Sequence, residues 1–299
     1  DRAHELGIKV MVGLWLNHES GSFTYADNPD AVQAQYEAII QDVERFKKHP
    51  AVLAWAVGNE VDSTLSLDMP AIHRAFNQIA RYIHESDPYH PTAAILAGSH
   101  SSKINGIRAL APHIDMLGIN SYSALYNVQN RVVSWNGPYM VTEYALNQPM
   151  ETQLKTAWGA IIEPDSLDKA DMYYQRHEDY IYAERDEGAV GSFVFKDTGS
   201  FRVTHTWYGL ILNKLRTPAF YAMQATWNQT ARDDIPYIIQ TTIDGKTSLE
   251  NVKVETEGLY EVRVTTDFLE PGDTVTYHFE VRADVGISSN NPPGVVYQA

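Results

Sequence analysis

Six apolar segments alternate with amphipathic segments over roughly the first 228 residues, and this alternation limits the possible fold more than any other feature. Most of the apolar segments are apolar on both faces, which is typical of parallel strands covered by helices. Between them apolar residues recur at helical spacing, and further helices are predicted over 166–187 and 217–228. Repeated β-α units predict an α/β fold with one parallel sheet. The predicted strands are GIKVMVGLWL (7–16), AVLAWAVGN (51–59), TAAILAG (92–98), IDMLGINSY (114–122), PYMVTEYA (138–145) and GSFVFKD (191–197).

Two architectures satisfy this pattern, an open doubly wound sheet and a closed (β/α)8 barrel. Neither a G-x-G-x-x-G sequence nor a P-loop follows any predicted strand. The nucleotide-binding version of the doubly wound sheet therefore lacks its sequence motif. Strand pattern alone does not choose between the two.

The pattern changes after about residue 230, where short segments of alternating polarity follow one another without helices. Two of them flank Asp244-Gly245, a pair that favours a tight hairpin turn. We therefore predict an α/β domain over 1–228, an immunoglobulin-like β-sandwich over 229–285 and a linker or tail over 286–299.

Composition excludes several classes of function. The formal charge of −15 disfavours binding to nucleic acid, which needs clustered lysine and arginine. The chain has no apolar run of 18 residues, so membrane insertion is not expected. Cysteine is absent, which removes disulfides and thiolate catalysis and fits either a cytosolic or a secreted bacterial protein. The eleven histidines show no H-E-x-x-H spacing, so no metal site is predicted.

The ends of the predicted strands carry the residues best suited to chemistry. Asn59 and Glu60 end the second strand, Asn120 ends the fourth and Glu143 ends the fifth. In a parallel α/β sheet these carboxyl ends meet on one side, so two carboxylates should face the same rim. Such a pair suits glycoside hydrolysis, in which one carboxyl group protonates the leaving oxygen and the other attacks the sugar or activates water. Separation along the chain leaves both retention and inversion open.

Four segments resemble the clan A glycoside hydrolases, and most closely family 2. HPAVLAWAVGNE (49–60) resembles their fourth-strand motif, and YMVTEYA (139–145) resembles the seventh. RAHELGIKVMVGLW is similar to their third strand, and FVFKDTGSFRVTHTWYGLI is similar to the eighth and its following loop. The resemblance covers roughly residues 1–225 in the family's order. It implies a (β/α)8 TIM barrel of which strands three to eight are visible.

The resemblance also implies roles for single residues. Glu60 would be the general acid/base and Glu143 the nucleophile of a retaining glycosidase acting on β-linked sugars. Asn59 would hold the sugar 2-hydroxyl, and Tyr122 would donate a hydrogen bond to the nucleophile. This mechanism requires no metal or organic cofactor, and its partner is a carbohydrate substrate.

Further residues are predicted to contact the sugar. Trp15, Phe195 and Trp207 could stack on a sugar ring, because an aromatic face offers a flat apolar surface. His18 and Asn120 are polar candidates at the ends of the first and fourth strands.

The barrel's first two strands are not recognisable, so we expect native sequence upstream of residue 1. We also expect an extracellular or periplasmic protein. Two alternatives stay open. A transglycosylase would pass the same intermediate to a sugar instead of water. A carbohydrate-binding or scaffold protein on a decayed barrel would bind glycans without turnover.

Overall fold

The computed structural model describes residues 1–20, 22–63, 69–151, 154–155, 161–198, 206–212, 214–231, 237–243, 245–247, 262–267, 278–281 and 295–298. Its main element is a six-stranded sheet whose neighbouring strands are all parallel. The strands are β1 (Val10–Leu14), β2 (Val52–Val57), β3 (Thr92–Ala97), β4 (Met116–Asn120), β5 (Tyr139–Tyr144) and β6 (Ala189–Val194).

The strands lie in the sheet in the same order as in the chain, from β1 to β6. A doubly wound sheet reverses its strand order at a switch point, whereas a barrel adds each strand beside the previous one. The sheet is accordingly a curled half-barrel. The six strands predicted from the sequence are all confirmed, with ends that differ by a few residues.

Helices cover the outer face of this sheet. They are α1 (Arg2–Glu5), α2 (Pro29–Phe46), α3 (Met69–Ser86), α4 (Ser101–Leu110), α5 (Val128–Val132), α6 (Ser166–Tyr180) and α7 (Pro218–Asn228). Short 3₁₀ helices span Leu125–Asn127, Pro149–Glu151 and Tyr182–Glu187. Among the described residues, no helix is both long and apolar enough to cross a membrane.

Local sequence explains where several helices begin. The Asp165 side chain accepts hydrogen bonds from the first backbone N–H groups of α6, and Thr217 caps α7 in front of Pro218. The helix predicted over 166–187 ends earlier, at Tyr180, and continues after Ile181 as a 3₁₀ helix. Asp68 precedes Met69 and Pro70, a sequence that favours a helix start, but it lies outside the described residues.

The main core lies between the sheet and the helices. The buried stripe of α3 contains residues at helical spacing, Ile72, Phe76, Ile79 and Ile83. Trp55 of β2 is fully buried beside them. On the inner face a smaller cluster of Ala54, Ala56, Ala93, Ile95 and Met116 packs together. The described inner face of the sheet is thus apolar here, and the polar site candidates lie at the strand ends.

The C-terminal region contains antiparallel strands. They are β7 (Ile211–Leu212), β8 (Leu215–Arg216), β9 (Tyr237–Ile243), β10 (Lys246–Thr247), β11 (Val262–Asp267), β12 (His278–Val281) and β13 (Val295–Gln298). Ile243 pairs with Lys246, so the predicted hairpin is confirmed, although Asp244 itself lies outside the described residues. The predicted tail over 286–299 includes β13, which pairs with β12. A complete β-sandwich stays a prediction.

Candidate functional site

Glu60 stands on the turn that follows β2. Its backbone has a φ of 52°, in the left-handed region that non-glycine residues seldom occupy, and its N–H donates to the Ile95 carbonyl over 3.1 Å. Gly58 starts the turn with a φ of 71°, and a Cβ there would lie 3.2 Å from the Phe76 ring. The sequence G-N-E therefore makes a sharp turn at the end of a buried strand, and it leaves the Glu60 carboxyl group half-buried at the rim.

Glu143 lies near the end of β5, where the strand pairing is irregular. Ile119 pairs with Val141 and Asn120 pairs with Glu143, which makes Thr142 an extra residue in β5. The Ser121 N–H donates to the Glu143 carbonyl over 2.8 Å and restores the pairing. Bulges of this kind redirect side chains and are common beside active sites.

Asn120 connects the two strand ends. Its Nδ2 donates to Oε1 of Glu60 over 3.0 Å and to Oδ1 of Asn59 over 3.1 Å. Its Oδ1 accepts a hydrogen bond from the Thr142 hydroxyl over 2.8 Å. Glu60 and the segment that carries Glu143 therefore belong to one hydrogen-bond network at the carboxyl edge of the sheet.

This position changes the interpretation of Asn120, which the sequence suggested as a sugar contact. Asn120 is only 3% exposed and its amide is engaged within the protein. It therefore acts as a positioning residue for the strand ends. Asn59 beside it is half-buried, and within the described part of the chain its own Nδ2 donates no hydrogen bond. That group is available to a substrate hydroxyl.

Tyr122 holds the second carboxylate. Its hydroxyl donates a hydrogen bond of 2.7 Å to Oε2 of Glu143. Its ring packs edge-on against Phe195 at 5.8 Å and lies 6.1 Å from the Tyr208 ring. Burial first, and then the hydrogen bond to Glu143, raise the pKa of Tyr122 well above its usual range. The negative charge of Glu60 acts in the same direction, so Tyr122 stays protonated and remains a donor.

The three predicted aromatic platforms differ in exposure. Trp15 is 69% exposed at the end of β1, with the exposed His18 ring 6.2 Å away. Phe195 is half-buried at the end of β6, and the Lys196 ammonium lies 6.0 Å from its ring centroid.

Trp207 does not have the position that was predicted. It is 1% exposed, and its indole N–H donates to the Asn147 carbonyl over 3.0 Å. Both ring faces are enclosed in the core, so this side chain offers no surface on which a sugar can stack. The correct interpretation of Trp207 is packing, since an apolar residue in a loop can serve either purpose and the sequence does not distinguish them.

Several residues near the site were not recognised in the sequence. Tyr208 completes the aromatic cluster with Tyr122 and Phe195, and Arg176 on α6 donates to the Ala145 carbonyl just beyond Glu143. Their positions depend on long-range packing, for which the sequence gives no signal. Among the described residues, no cluster of three or more histidine, aspartate and glutamate side chains is arranged to hold a metal ion.

Known proteins share both sequence and fold with this chain. It is 27% identical over 163 residues to a β-glucuronidase of Mus musculus, and this match covers 54% of the chain and 22% of that protein. The chain therefore spans about a fifth of the relative's length.

Two solved structures are similar in fold. A β-D-glucuronidase of Dictyoglomus thermophilum superimposes with a TM-score of 0.55 at 13% identity, over 77% of this chain and 42% of that one. An exo-β-1,4-mannosidase of Opitutaceae bacterium strain TAV5 gives the same TM-score and identity, over 76% of this chain and 46% of that one. At this identity they establish the fold alone. Residues 5–202 match the TIM barrel domain of glycosyl hydrolases family 2, and the chain therefore belongs to that family.

Proposed function

We propose that this chain carries the active site of a retaining glycosidase that cleaves β-linked sugars with Glu60 and Glu143. Membership of family 2 and the relatives' β-glucuronidase and β-mannosidase activities support the reaction class. The observation that carries the proposal is the network in which Asn120 bonds to Glu60 and to Thr142, beside Glu143. It supports the proposal because Glu60 and the segment that carries Glu143 come from distant parts of the sequence and share one hydrogen-bond network.

In the first step the Glu143 carboxylate attacks the anomeric carbon of the bound sugar. The bond to the leaving oxygen breaks, and the protonated Glu60 carboxyl group donates its proton to that oxygen. The product is a covalent glycosyl-enzyme ester on Glu143 and a free alcohol. Direct attack requires carboxyl groups about 5–5.5 Å apart.

In the second step Glu60, now a carboxylate, removes a proton from water. The resulting nucleophile attacks the anomeric carbon and releases Glu143, so the product sugar keeps its original β-configuration. Before the first step the Tyr122 hydroxyl, 2.7 Å from Oε2 of Glu143, holds the carboxylate in one orientation. The amide hydrogens of Asn59 would bind the 2-hydroxyl of the same sugar.

Substitution of the two carboxylates tests this assignment. Glu143→Gln should reduce turnover of every glycoside by at least about 10⁴-fold, because no nucleophile remains. Glu60→Gln should slow substrates with poor leaving groups by about 10²–10⁴-fold and activated aryl glycosides much less. The anomeric configuration of the first product, followed by NMR, should be β.

Glu151→Gln is a suitable control, since this exposed carboxylate accepts hydrogen bonds from Ser123 and the Gln148 N–H outside the network. Full activity in Glu143→Gln would refute the proposal. A wild-type protein that binds glycans but never cleaves them would instead support the carbohydrate-binding alternative.

The sugar should be identified with a panel of aryl β-glycosides. Glucuronide and mannoside are the first choices because the similar proteins are named for them. Glucoside, galactoside and galacturonide complete the panel. β-Linked oligosaccharides should be included as substrates without an activated leaving group.

Transglycosylation is the second candidate, and the exposed Trp15 favours it. An aromatic ring that is 69% exposed at the rim could bind an acceptor sugar by stacking. Longer oligosaccharide products at high substrate concentration would identify this outcome, whereas hydrolysis gives only shorter ones.

We further propose that an immunoglobulin-like β-sandwich spans 229–285 and that the protein is extracellular or periplasmic. The antiparallel sheet of β10, β9 and β11 supports the first part. Cell fractionation of the native host tests the second.

A further inference from the structure

The segment Glu60–Asp62 is anchored by a buried ion pair that the proposed mechanism does not use. Asp62 is fully buried, and its Oδ2 lies 3.0 Å from the ammonium of Lys103, whose side chain is 5% exposed. Asp62 Oδ1 accepts a hydrogen bond of 2.9 Å from the Ala97 N–H, and the Lys103 ammonium donates to the Ala97 carbonyl over 2.7 Å. The pair thus binds both polar backbone groups of the residue that ends β3.

This anchor lies two residues beyond Glu60 in the chain. Glu60 has left-handed backbone geometry, which a non-glycine residue keeps only when its surroundings enforce it. The Glu60 N–H is itself bonded to Ile95 in β3. Both ends of the segment are therefore fixed to the same strand, Glu60 to Ile95 and Asp62 to Ala97.

Stability alone is a weak explanation for a buried pair of this kind. Taking both charges out of water is costly, and well-packed apolar residues in their place often leave a protein equally stable. A role in positioning Glu60 fits the geometry better, because a shift of about 1 Å in a catalytic group can lower the rate of the reaction about 100-fold.

We propose that the Asp62–Lys103 pair positions Glu60 for proton transfer to and from the glycosidic oxygen. The inference rests on the proposed acid/base role of Glu60. Asp62 and Lys103 are positioning residues, since both side chains are buried and bound to the backbone of Ala97. By fixing the turn to Ala97, they keep the Glu60 carboxyl group in the orientation that its hydrogen bond to Asn120 also requires.

The double variant Asp62→Asn/Lys103→Met tests the proposal without leaving an unpaired buried charge. We expect kcat/KM for an alkyl β-glycoside, which needs the acid, to fall about 10–100-fold. A dinitrophenyl β-glycoside has a leaving group, dinitrophenolate, that departs without a proton. For this substrate kcat/KM should change by less than about threefold. The kcat of the double variant for the same substrate should fall, because the second step still needs Glu60 as base. Added azide should restore this kcat, because the azide anion attacks the intermediate without a base.

Lys103→Arg retains the charge and should recover at least part of the alkyl glycoside activity. Asp87→Asn is the matched control: this carboxylate is also buried, but it bonds to Trp55 and His90 at the opposite end of the sheet. Its effect should not depend on the leaving group. Circular dichroism and thermal melting should show that each variant is folded.

Equal losses on both substrates in the folded double variant, or no loss on either, would overturn the proposal. Failure of the proposed function has a separate signature, because Glu143→Gln would then retain activity or the wild type would have none. If Glu143→Gln is inactive and the double variant shows no dependence on the leaving group, only the positioning role fails.

Discussion

The Tyr122 hydroxyl donates a 2.7 Å hydrogen bond to Oε2 of Glu143, and it joins the segment that follows β4 to the neighbouring strand β5. This hydrogen bond orients the carboxylate, and Tyr122 keeps the proton that the bond requires. Because burial and the adjacent acids raise the pKa of Tyr122, the phenol remains a donor over the whole working pH range.

Tyr122→Phe should therefore reduce kcat about 10–100-fold, since a hydrogen bond to a charged group contributes about 1.5–3 kcal/mol. The phenylalanine ring can keep the contacts with Phe195 and Tyr208, so the melting temperature should hardly change. Steady-state kinetics on an aryl β-glycoside and calorimetry provide the two measurements. Wild-type kinetics in this variant would show that the hydrogen bond contributes nothing to turnover.

Trp15 and Trp207 should respond in opposite ways to replacement by alanine. Trp15 is 69% exposed, so Trp15→Ala should leave the free energy of unfolding unchanged. The same variant should lower kcat/KM for oligosaccharides by up to about tenfold, because the stacking surface is lost. Trp207 is 1% exposed, and Trp207→Ala should cost about 3–5 kcal/mol of stability. Denaturant unfolding and oligosaccharide kinetics on both variants would separate the roles. A large stability loss in Trp15→Ala would contradict the assignment.

Gly106 in α4 should reject a methyl group although alanine is the better helix former. A Cβ at this position would overlap the ring of the buried His73 on α3. We expect Gly106→Ala to destabilise the protein by about 1–3 kcal/mol, because overpacking outweighs a helix propensity gain of about 1 kcal/mol.

The matched control for Gly106→Ala is the same change in a His73→Ala background. With the ring removed, alanine at position 106 should be neutral or stabilising. Chemical denaturation of the wild type, the two single variants and the double variant gives the coupling free energy between positions 73 and 106. Additive effects would show that the two helices do not touch at this point.

His73 should also make stability depend on pH. Burial lowers its pKa to about 4, an effect that the Asp62 charge only partly offsets. In the unfolded chain the pKa is about 6.5, so between pH 6.5 and 4 the unfolded state binds the additional proton. The stabilising contribution is thus complete above pH 6.5 and decreases as the pH falls towards 4.

We expect the wild type to lose on the order of 2–3 kcal/mol more than His73→Leu between pH 7.5 and pH 4.5. Urea unfolding of both proteins at the two pH values measures this difference. Parallel pH profiles would show that His73 is not buried in its neutral form.

Sequence patterning sufficed to predict the six strands of the barrel and most of its longer helices. The strands lie where segments apolar on both faces predict them, and α3 buries the stripe of Ile72, Phe76 and Ile83. Burial of a continuous face requires apolar residues at a regular spacing in the sequence, and this spacing can be recognised. Helix α4 was not predicted. Its sequence contains serine, asparagine and glycine, which are weak helix formers, and tertiary packing outweighs that local preference.

The sequence by itself determined which residues end the strands, and so it made Glu60, Glu143 and Tyr122 the candidates for the site. Only the tertiary structure decided how they are held: the Asn120 bridge, the buried Trp207 and the Asp62–Lys103 anchor all depend on residues 20 to 60 positions apart in the chain. Local sequence encodes periodicity and turns, whereas such contacts arise only when distant segments pack. For that reason the candidate residues could be predicted from the strand ends, and the contacts that hold them could not.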